Sequence, residues 1–280
     1  MRIIGRECDH GPRVLVLGTF DGVHLGHREL IETGRRYARE HGVQLRVCTF
    51  DRHPLEVVAP QRAPGILTTI PEKAALMARI GVDEMQLLPF RREMADMEPE
   101  AFLAMLRAAT DLRAVAAGWN YTFGRGGRGN AELLQEDGKK HGYDVLILPP
   151  VRMHDGTVLS SSAIRERLEK GAMEEAEQML GHPYGICARS AGGSEDGWMA
   201  LRVKRGKMLP PPGAYDCLWS TGNLSGRSTL RIGPGSGGIG AELRLKAERI
   251  REKDLPIRLT LPAHGVNGQK SVIPLPCHTP

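Results

Sequence analysis

Val14-Leu15-Val16-Leu17-Gly18-Thr19-Phe20-Asp21-Gly22-Val23-His24-Leu25-Gly26-His27 starts as a run of branched apolar residues and breaks on glycine. Four apolar residues in a row, two of them β-branched, read as a strand buried on both faces. Leu30, Ile31, Gly34, Tyr37 and Ala38 follow at three- and four-residue steps, the period of one helix face. A strand that passes through glycines straight into a helix opens a parallel α/β unit. Such a turn aims backbone N–H groups and the positive end of a helix at whatever lies above it, which favours an anion.

The alternation continues along the chain. Val43–Phe50, Met85–Leu88, Ala114–Ala117 and Val145–Leu148 read as further strands. Helical periods over Pro71–Ile80, from Pro99 through Phe102, Leu103 and Leu106, and over Ala131–Lys140 separate them. Five strands alternating with helices predict a doubly wound parallel sheet, with its ligand at the C-terminal strand ends near the switch point. After Pro149-Pro150 come a short strand around Val158 and two helices, Ser162–Lys170 and Met173–Leu180, the second closed by Gly181-His182-Pro183. Beyond Tyr184 the texture changes: Gly and Pro make up 24 of the last 96 residues against 29 of the first 184. Short runs at Ala200–Val203, Ala214–Trp219 and Ile257–Leu261 predict a small β-rich, barrel-like domain with a helix around Ala241–Lys253. The expected domains are therefore 1–184 and 185–280.

Composition excludes several classes. At 280 residues, 41% hydrophobic and 25% charged, the chain holds roughly two folded domains and is not disordered. No apolar run approaches the roughly eighteen residues of a membrane span, and no signal-peptide core follows Met1, so a cytoplasmic protein with no membrane partner is expected. Cys8, Cys48, Cys187, Cys217 and Cys277 are odd in number and never form C-x-x-C, which argues against a disulfide framework and a zinc knuckle. Lys and Arg number 24 against 26 Asp and Glu before residue 185, and 14 against 7 from there on, so the basicity belongs to the second part.

Four segments carry candidate chemistry. In the first, Gly18, Gly22 and Gly26 let backbone approach an anion, and His24 and His27 at the first helical turn can both donate to phosphoryl oxygens. Two zinc ligands would use the same spacing, but no third ligand is evident, and a pair of surface histidines is the plainer alternative. In Ser160-Ser161-Ser162-Ala163-Ile164-Arg165, Ser161 or Ser162 can cap a helix while Arg165 offers a fork for phosphate, or the segment is an N-cap and nothing more. Gly118-Trp119-Asn120-Tyr121-Thr122-Phe123-Gly124, with the basic loop after it, suits a planar phosphorylated ligand or is a solvated loop. Thr49-Phe50-Asp51-Arg52-His53-Pro54 follows the second strand and has an edge turn as its alternative. Most of these segments follow strands directly, so one edge of the sheet would gather them.

Taken in order, Gly18-x-Phe20-Asp21-Gly22-x-His24-x-Gly26-His27, Phe50-x-x-His53-Pro54, Gly118-x-Asn120-Tyr121-x-Phe123-Gly124, Ser160-Ser161-Ser162-x-Ile164-Arg165 and Gly181-His182-Pro183-Tyr184 resemble the FMN adenylyltransferase module of the bifunctional bacterial riboflavin kinase/FAD synthetases. The resemblance covers roughly residues 12 to 185. It implies an α/β sheet of the H-x-G-H nucleotidyltransferase type and transfer of AMP from ATP to FMN, giving FAD and pyrophosphate. It further implies that His24, His27 and Arg165 act on the triphosphate, that Gly18, Thr19, Phe20, Asp21, Gly26, Ser161 and Ser162 hold ATP, and that Phe50, His53, Pro54, Asn120 and Phe123 face FMN. Mg²⁺ would ride mainly on the phosphates with few protein ligands.

The resemblance stops after Tyr184. The kinase barrel of that family carries a G-F-P-T-A-N segment and a catalytic Glu before a terminal helix, and neither is found here; only Pro210-Pro211-Pro212-Gly213-Ala214-Tyr215 echoes its Pro-x-x-Gly-x-Tyr. A kinase-inactive barrel is the expectation. Arg202, Lys204, Arg205 and Lys207 admit a different class, a flavin-nucleotide sensor or polyanion binder, although nucleic acid is disfavoured because only Trp198 stands near them. An adenylyltransferase for another phosphorylated acceptor is the remaining alternative.

Overall fold

The structure is a computed structural model and describes residues 1–5, 11–193, 197–234, 241–246 and 254–263. It divides into two compact units, Met1–Pro64 with Leu76–Val158, and Gly65–Ala75 with Leu159–Pro280. The elements run β1 (Arg2–Ile4), β2 (Pro12–Leu17), α1 (Leu25–His41), β3 (Gln44–Phe50), α2 (Leu55–Val58), α3 (Ile70–Arg79), β4 (Glu84–Leu88), α4 (Arg92–Ala95), α5 (Pro99–Ala109), β5 (Asp111–Gly118), α6 (Ala131–His141) and β6 (Asp144–Leu148). After them come α7 (Ser161–Glu169), α8 (Met173–Leu180), β7 (Tyr184–Gly193), β8 (Trp198–Val203), β9 (Gly213–Thr221), β10 (Leu224–Pro234), β11 (Ala241–Lys246) and β12 (Pro256–Leu261).

In the first unit six parallel strands form one sheet in the order β1-β4-β3-β2-β5-β6. All five strands expected from the sequence are present. The sixth, β1, is only three residues long at the edge, too short to show a period. β2 lies between β3 and β5, so the strand order reverses beside it, and the loops leaving β2 and β5 share the C-terminal crevice where ligands of open α/β sheets bind. Val14, Leu15, Val16 and Leu17 are at most 2% exposed, as an uninterrupted apolar run requires, and burying each stabilises the fold by about 1.5–3 kcal/mol. α1 packs very close to this strand. A Cβ on Gly34 would lie 2.5 Å from Val16 Cγ2, so no larger residue fits without moving the helix that carries the histidines.

The opposite end of the sheet is held by charge. Arg46, fully buried on β3, donates to Glu84 Oε2 at 2.9 Å, and Arg13 reaches the same oxygen at 3.3 Å. Burial pushes the Glu84 carboxyl up, but the guanidinium of Arg46 and that of Arg2 outweigh it and hold it below the usual carboxylate range.

In the second unit β7 to β12 close an antiparallel barrel in the order β10-β11-β8-β7-β12-β9. Ile186, Ala188, Ile257, Leu259, Cys217 and Leu245 alternate along their strands and are at most 6% exposed. The helix expected around Ala241–Lys253 is not formed: Ala241–Lys246 is the strand β11, and 247–253 lie outside the described residues. The reason is period. Glu242-Leu243-Arg244-Leu245-Lys246 alternates polar and apolar residues, placing Leu243 opposite Leu201 and Leu245 opposite Met199. The short strand expected around Val158 is reduced to a single bridge with Arg152.

Two of the four members of the basic cluster noted in the sequence are engaged within the unit, while Lys204 and Arg205 are exposed. Lys207 is buried, donating to Glu72 Oε2 at 2.8 Å and to the Leu67 carbonyl at 2.6 Å, and Arg202 pairs with Asp254. Burial lowers the Lys207 ammonium, but Glu72 more than reverses this and raises it above its ordinary value. Sequence spacing could not show that Glu72, 135 residues away, claims this lysine. Among the described residues, no helix is long and apolar enough to cross a membrane.

Candidate functional site

The loop between β2 and α1 departs from ordinary backbone in three of its residues. Phe20 has φ 50°, Gly22 φ 88° and Val23 φ 44°. Positive φ at a β-branched residue is a true outlier, costing on the order of 1–3 kcal/mol, and it persists only where the surroundings enforce it. Here the side chains of Phe20 and Val23 are both completely buried, so core packing holds the turn in shape. Successive left-handed residues gather backbone N–H groups into the concavity that binds anions.

His24 follows with extended backbone and caps α1 through its ring, Nδ1 accepting the backbone N–H of His27 at 3.3 Å. An accepting Nδ1 places the proton of the neutral imidazole on Nε2, so Nε2–H is the donor His24 has to offer. The His27 ring stacks on His24 with centroids 3.6 Å apart and meets the edge of Phe20 at 5.2 Å. The first turn of α1 contains no acidic residue. Gly18 leaves β2 with its N–H on the Cys48 carbonyl, the Thr19 carbonyl accepts from the Thr49 hydroxyl, Asp21 is buried, and Gly26 lies within the first turn of α1. The expected phosphate loop is thus one continuous piece.

The segment after β3 is anchored from an unexpected side. Asp51 accepts the backbone N–H of Phe90 and the guanidinium of Arg91, both at 3.0 Å. Burial raises this carboxyl, but those donors outweigh it and hold it below its ordinary value. Arg91 carried no signal in the sequence, since its partner lies forty residues earlier on another strand end. Phe50 packs edge-on against Phe90 at 4.8 Å, the ring of His53 accepts the Leu55 N–H, and the Pro54 carbonyl begins α2. After β5, Trp119 and Asn120 are exposed, whereas Phe123 is only 5% exposed and packs between Phe102 and Tyr121 in the core. Asn120 is therefore available to a ligand directly, and Phe123 forms a wall behind Tyr121.

In the second unit the cap of α7 is Ser160, whose Oγ accepts the Ala163 N–H at 3.2 Å, and not Ser161 or Ser162 as expected. Three adjacent serines offer the same hydroxyl; the register follows from burying Leu159 and Ile164, and it leaves Ser161 and Ser162 as the first helical residues. Arg165 is 9% exposed and donates through Nε to the Gly65 carbonyl at 2.7 Å. Among the described residues, no group of three or more His, Cys, Asp or Glu could hold a metal ion.

A parallel sheet whose first loop delivers a strained glycine turn to a histidine-capped helix defines an α/β protein of the nucleotidyltransferase type. The chain belongs to the FAD synthetase family, whose sequence model matches residues 7–163. It is 33% identical over 212 residues to the bifunctional riboflavin kinase/FMN adenylyltransferase of Listeria monocytogenes, covering 72% of this chain and 66% of that one. It is 34% identical over 185 residues to the Escherichia coli protein of the same name, covering 66% and 59%. The match thus spans slightly less than two thirds of these bifunctional relatives. A Listeria monocytogenes FAD synthetase is 28% identical over 82% of this chain and 90% of its own length. A solved structure described as a macrolide-efflux protein from Streptococcus pneumoniae superposes with a TM-score of 0.80, covering 97% of this chain and 94% of that one at 24% identity, a likeness of fold alone.

Proposed function

We propose that this protein is an FMN adenylyltransferase, transferring AMP from ATP to the phosphate of FMN to give FAD and pyrophosphate. The observation that carries the reading is the left-handed Phe20–Val23 turn feeding the stacked His24 and His27 at the start of α1, in a chain of the FAD synthetase family. A phosphate oxygen of FMN forms a bond to the innermost phosphorus of ATP while the bond to the bridging oxygen breaks, and pyrophosphate leaves with that electron pair. The attacking oxygen is already ionised, so the chain supplies position and charge and needs no strong base.

His24 donates from Nε2, and His27 and Arg165 donate to oxygens that gain charge as pyrophosphate departs. Two stacked imidazoles resist carrying two charges until an anion arrives, which ties their donor strength to the presence of the triphosphate. Gly18, Thr19, Phe20, Asp21, Gly26, Ser161 and Ser162 hold ATP. Phe50, His53, Pro54 and Asn120 border FMN, with Phe123 supporting them from the core. Mg²⁺ enters with ATP and is held by its phosphates. The same reading assigns residues 1–184 to adenylyl transfer, treats 185–280 as a kinase-inactive barrel, and places the protein in the cytoplasm.

The test is incubation with ATP, Mg²⁺ and either FMN or riboflavin, with products separated by chromatography. FAD from FMN and no FMN from riboflavin is the expected result. Failure to form FAD overturns the transferase reading, and phosphorylation of riboflavin overturns the inactive barrel.

A further inference from the structure

β12 of the barrel carries a buried charge with few partners among the described residues. Arg258 on β12 is 4% exposed, and its Nε and Nη1 are buried without a hydrogen-bond partner among the described residues. No carboxylate pairs with it among the described residues. Among the described residues its side chain bonds through Nη2 to the Sγ of Cys187 at 3.7 Å, directly across the β7–β12 register. An isolated buried guanidinium is costly unless a negative group compensates it, and a guanidinium beside a thiol favours the thiolate.

We propose that Cys187 is held as a thiolate by Arg258 and is a site of covalent modification by small disulfides. The carboxylate nearest to it on α3 permits this. Glu72 sits against the same strand, its Oε1 accepting the Cys187 backbone N–H, but its Oε2 is engaged by the Thr69 N–H and by the Lys207 ammonium. The negative charge of Glu72 is thus matched by Lys207, while Arg258 is left to the sulfur. Cys187 is partly exposed, unlike Cys48 and Cys217. In the reaction the thiolate attacks one sulfur of a low-molecular-weight disulfide, a new S–S bond forms, the old one breaks, and the other half leaves as thiolate with the electron pair. Cys48 and Cys217 provide internal controls, since burial pushes each thiol up to about 12.

The experiment treats the intact protein with iodoacetamide at pH 6.5, folded and in concentrated urea, and reads each cysteine by peptide mass spectrometry. Cys187 in the folded protein is expected to react at least about tenfold faster than in the unfolded chain, where its thiol is ordinary. Arg258→Met is expected to abolish that advantage and Arg258→Lys to retain part of it. With glutathione disulfide, the mixed disulfide is expected at Cys187 before Cys48 or Cys217. A folded rate at or below the unfolded one, or an unchanged rate in Arg258→Met, overturns the proposal. If Arg258→Met does not fold, the folded-against-urea comparison on the unaltered chain decides alone.

Discussion

α1 and α7 both begin on an extended residue whose side chain caps the helix, yet they are built in opposite ways. The residue before α1 is an imidazole, and the turn leading to it holds Phe20, Gly22 and Val23 at positive φ. The residue before α7 is a serine at φ −151° and ψ 156°, ordinary extended backbone with an ordinary cap. At α1 the surroundings keep an unfavourable conformation that leads directly into two stacked rings at the helix start. At α7 the backbone is relaxed, and whatever serves a ligand must come from the side chains of Ser161, Ser162 and Arg165. Strain at one helix start and its absence at another separates a site made of backbone from a site made of side chains.

This difference predicts how single substitutions divide between turnover and stability, and the largest effects are on turnover. His27→Ala is expected to lower kcat about a hundredfold, about 3 kcal/mol on the barrier, while FMN affinity and urea resistance stay near those of the unaltered protein. Arg165→Ala is expected to match that loss of turnover and also to cost about 1–3 kcal/mol of stability, because it strips the donor from the Gly65 carbonyl. Single-turnover kinetics and urea titrations of both variants check the pair. Equal losses of kcat and FMN binding at His27 would place that ring on the wrong substrate.

The sheet was legible for the same reason that the α1 loop was. Val14–Leu17 is a continuous apolar run next to glycines, and both its burial and its turn are local consequences of those residues. Pairings across long separations were not legible: Asp51 with Arg91, Glu72 with Lys207 and Cys187 with Arg258 each join distant stretches that no spacing connects. Helical period misled at Ala241–Lys246, where a two-residue alternation was short enough to be overlooked. The misreading at α7 had another source. Ser160, Ser161 and Ser162 are chemically equivalent as caps, and only the burial of the neighbouring Leu159 and Ile164 selects among them.

Glycine substitutions sharpen the contrast at an intermediate scale. Gly22 at φ 88° and Gly206 at φ 80° both sit where a Cβ is strained, and a Cβ on Gly206 would meet nothing within 4 Å. Alanine at Gly206 is expected to destabilise by about 1–2 kcal/mol through backbone conformation alone, and alanine at the buried Gly22 by at least about as much. Only Gly22→Ala is expected to reduce FAD formation, since the proposed function sets the triphosphate against the loop that Gly22 belongs to. Thermal unfolding and turnover measured on the two variants test this; equal activities would deny the loop its role.

The smallest effects belong to the serines of α7. Ser160→Ala removes the acceptor for the Ala163 N–H and is expected to cost about 1 kcal/mol, with Ser160→Gly costing only a few tenths. Ser162→Ala touches an exposed residue inside the helix and is expected to change stability by less than about 0.5 kcal/mol. If Ser162 contacts ATP, the same variant raises the KM for ATP without moving the unfolding midpoint, whereas Ser160→Ala moves the midpoint first. The reverse ordering, with stability lost at Ser162 and kept at Ser160, would shift the helix start by two residues and remove Ser162 from the nucleotide, because a capping hydroxyl is already committed to the backbone.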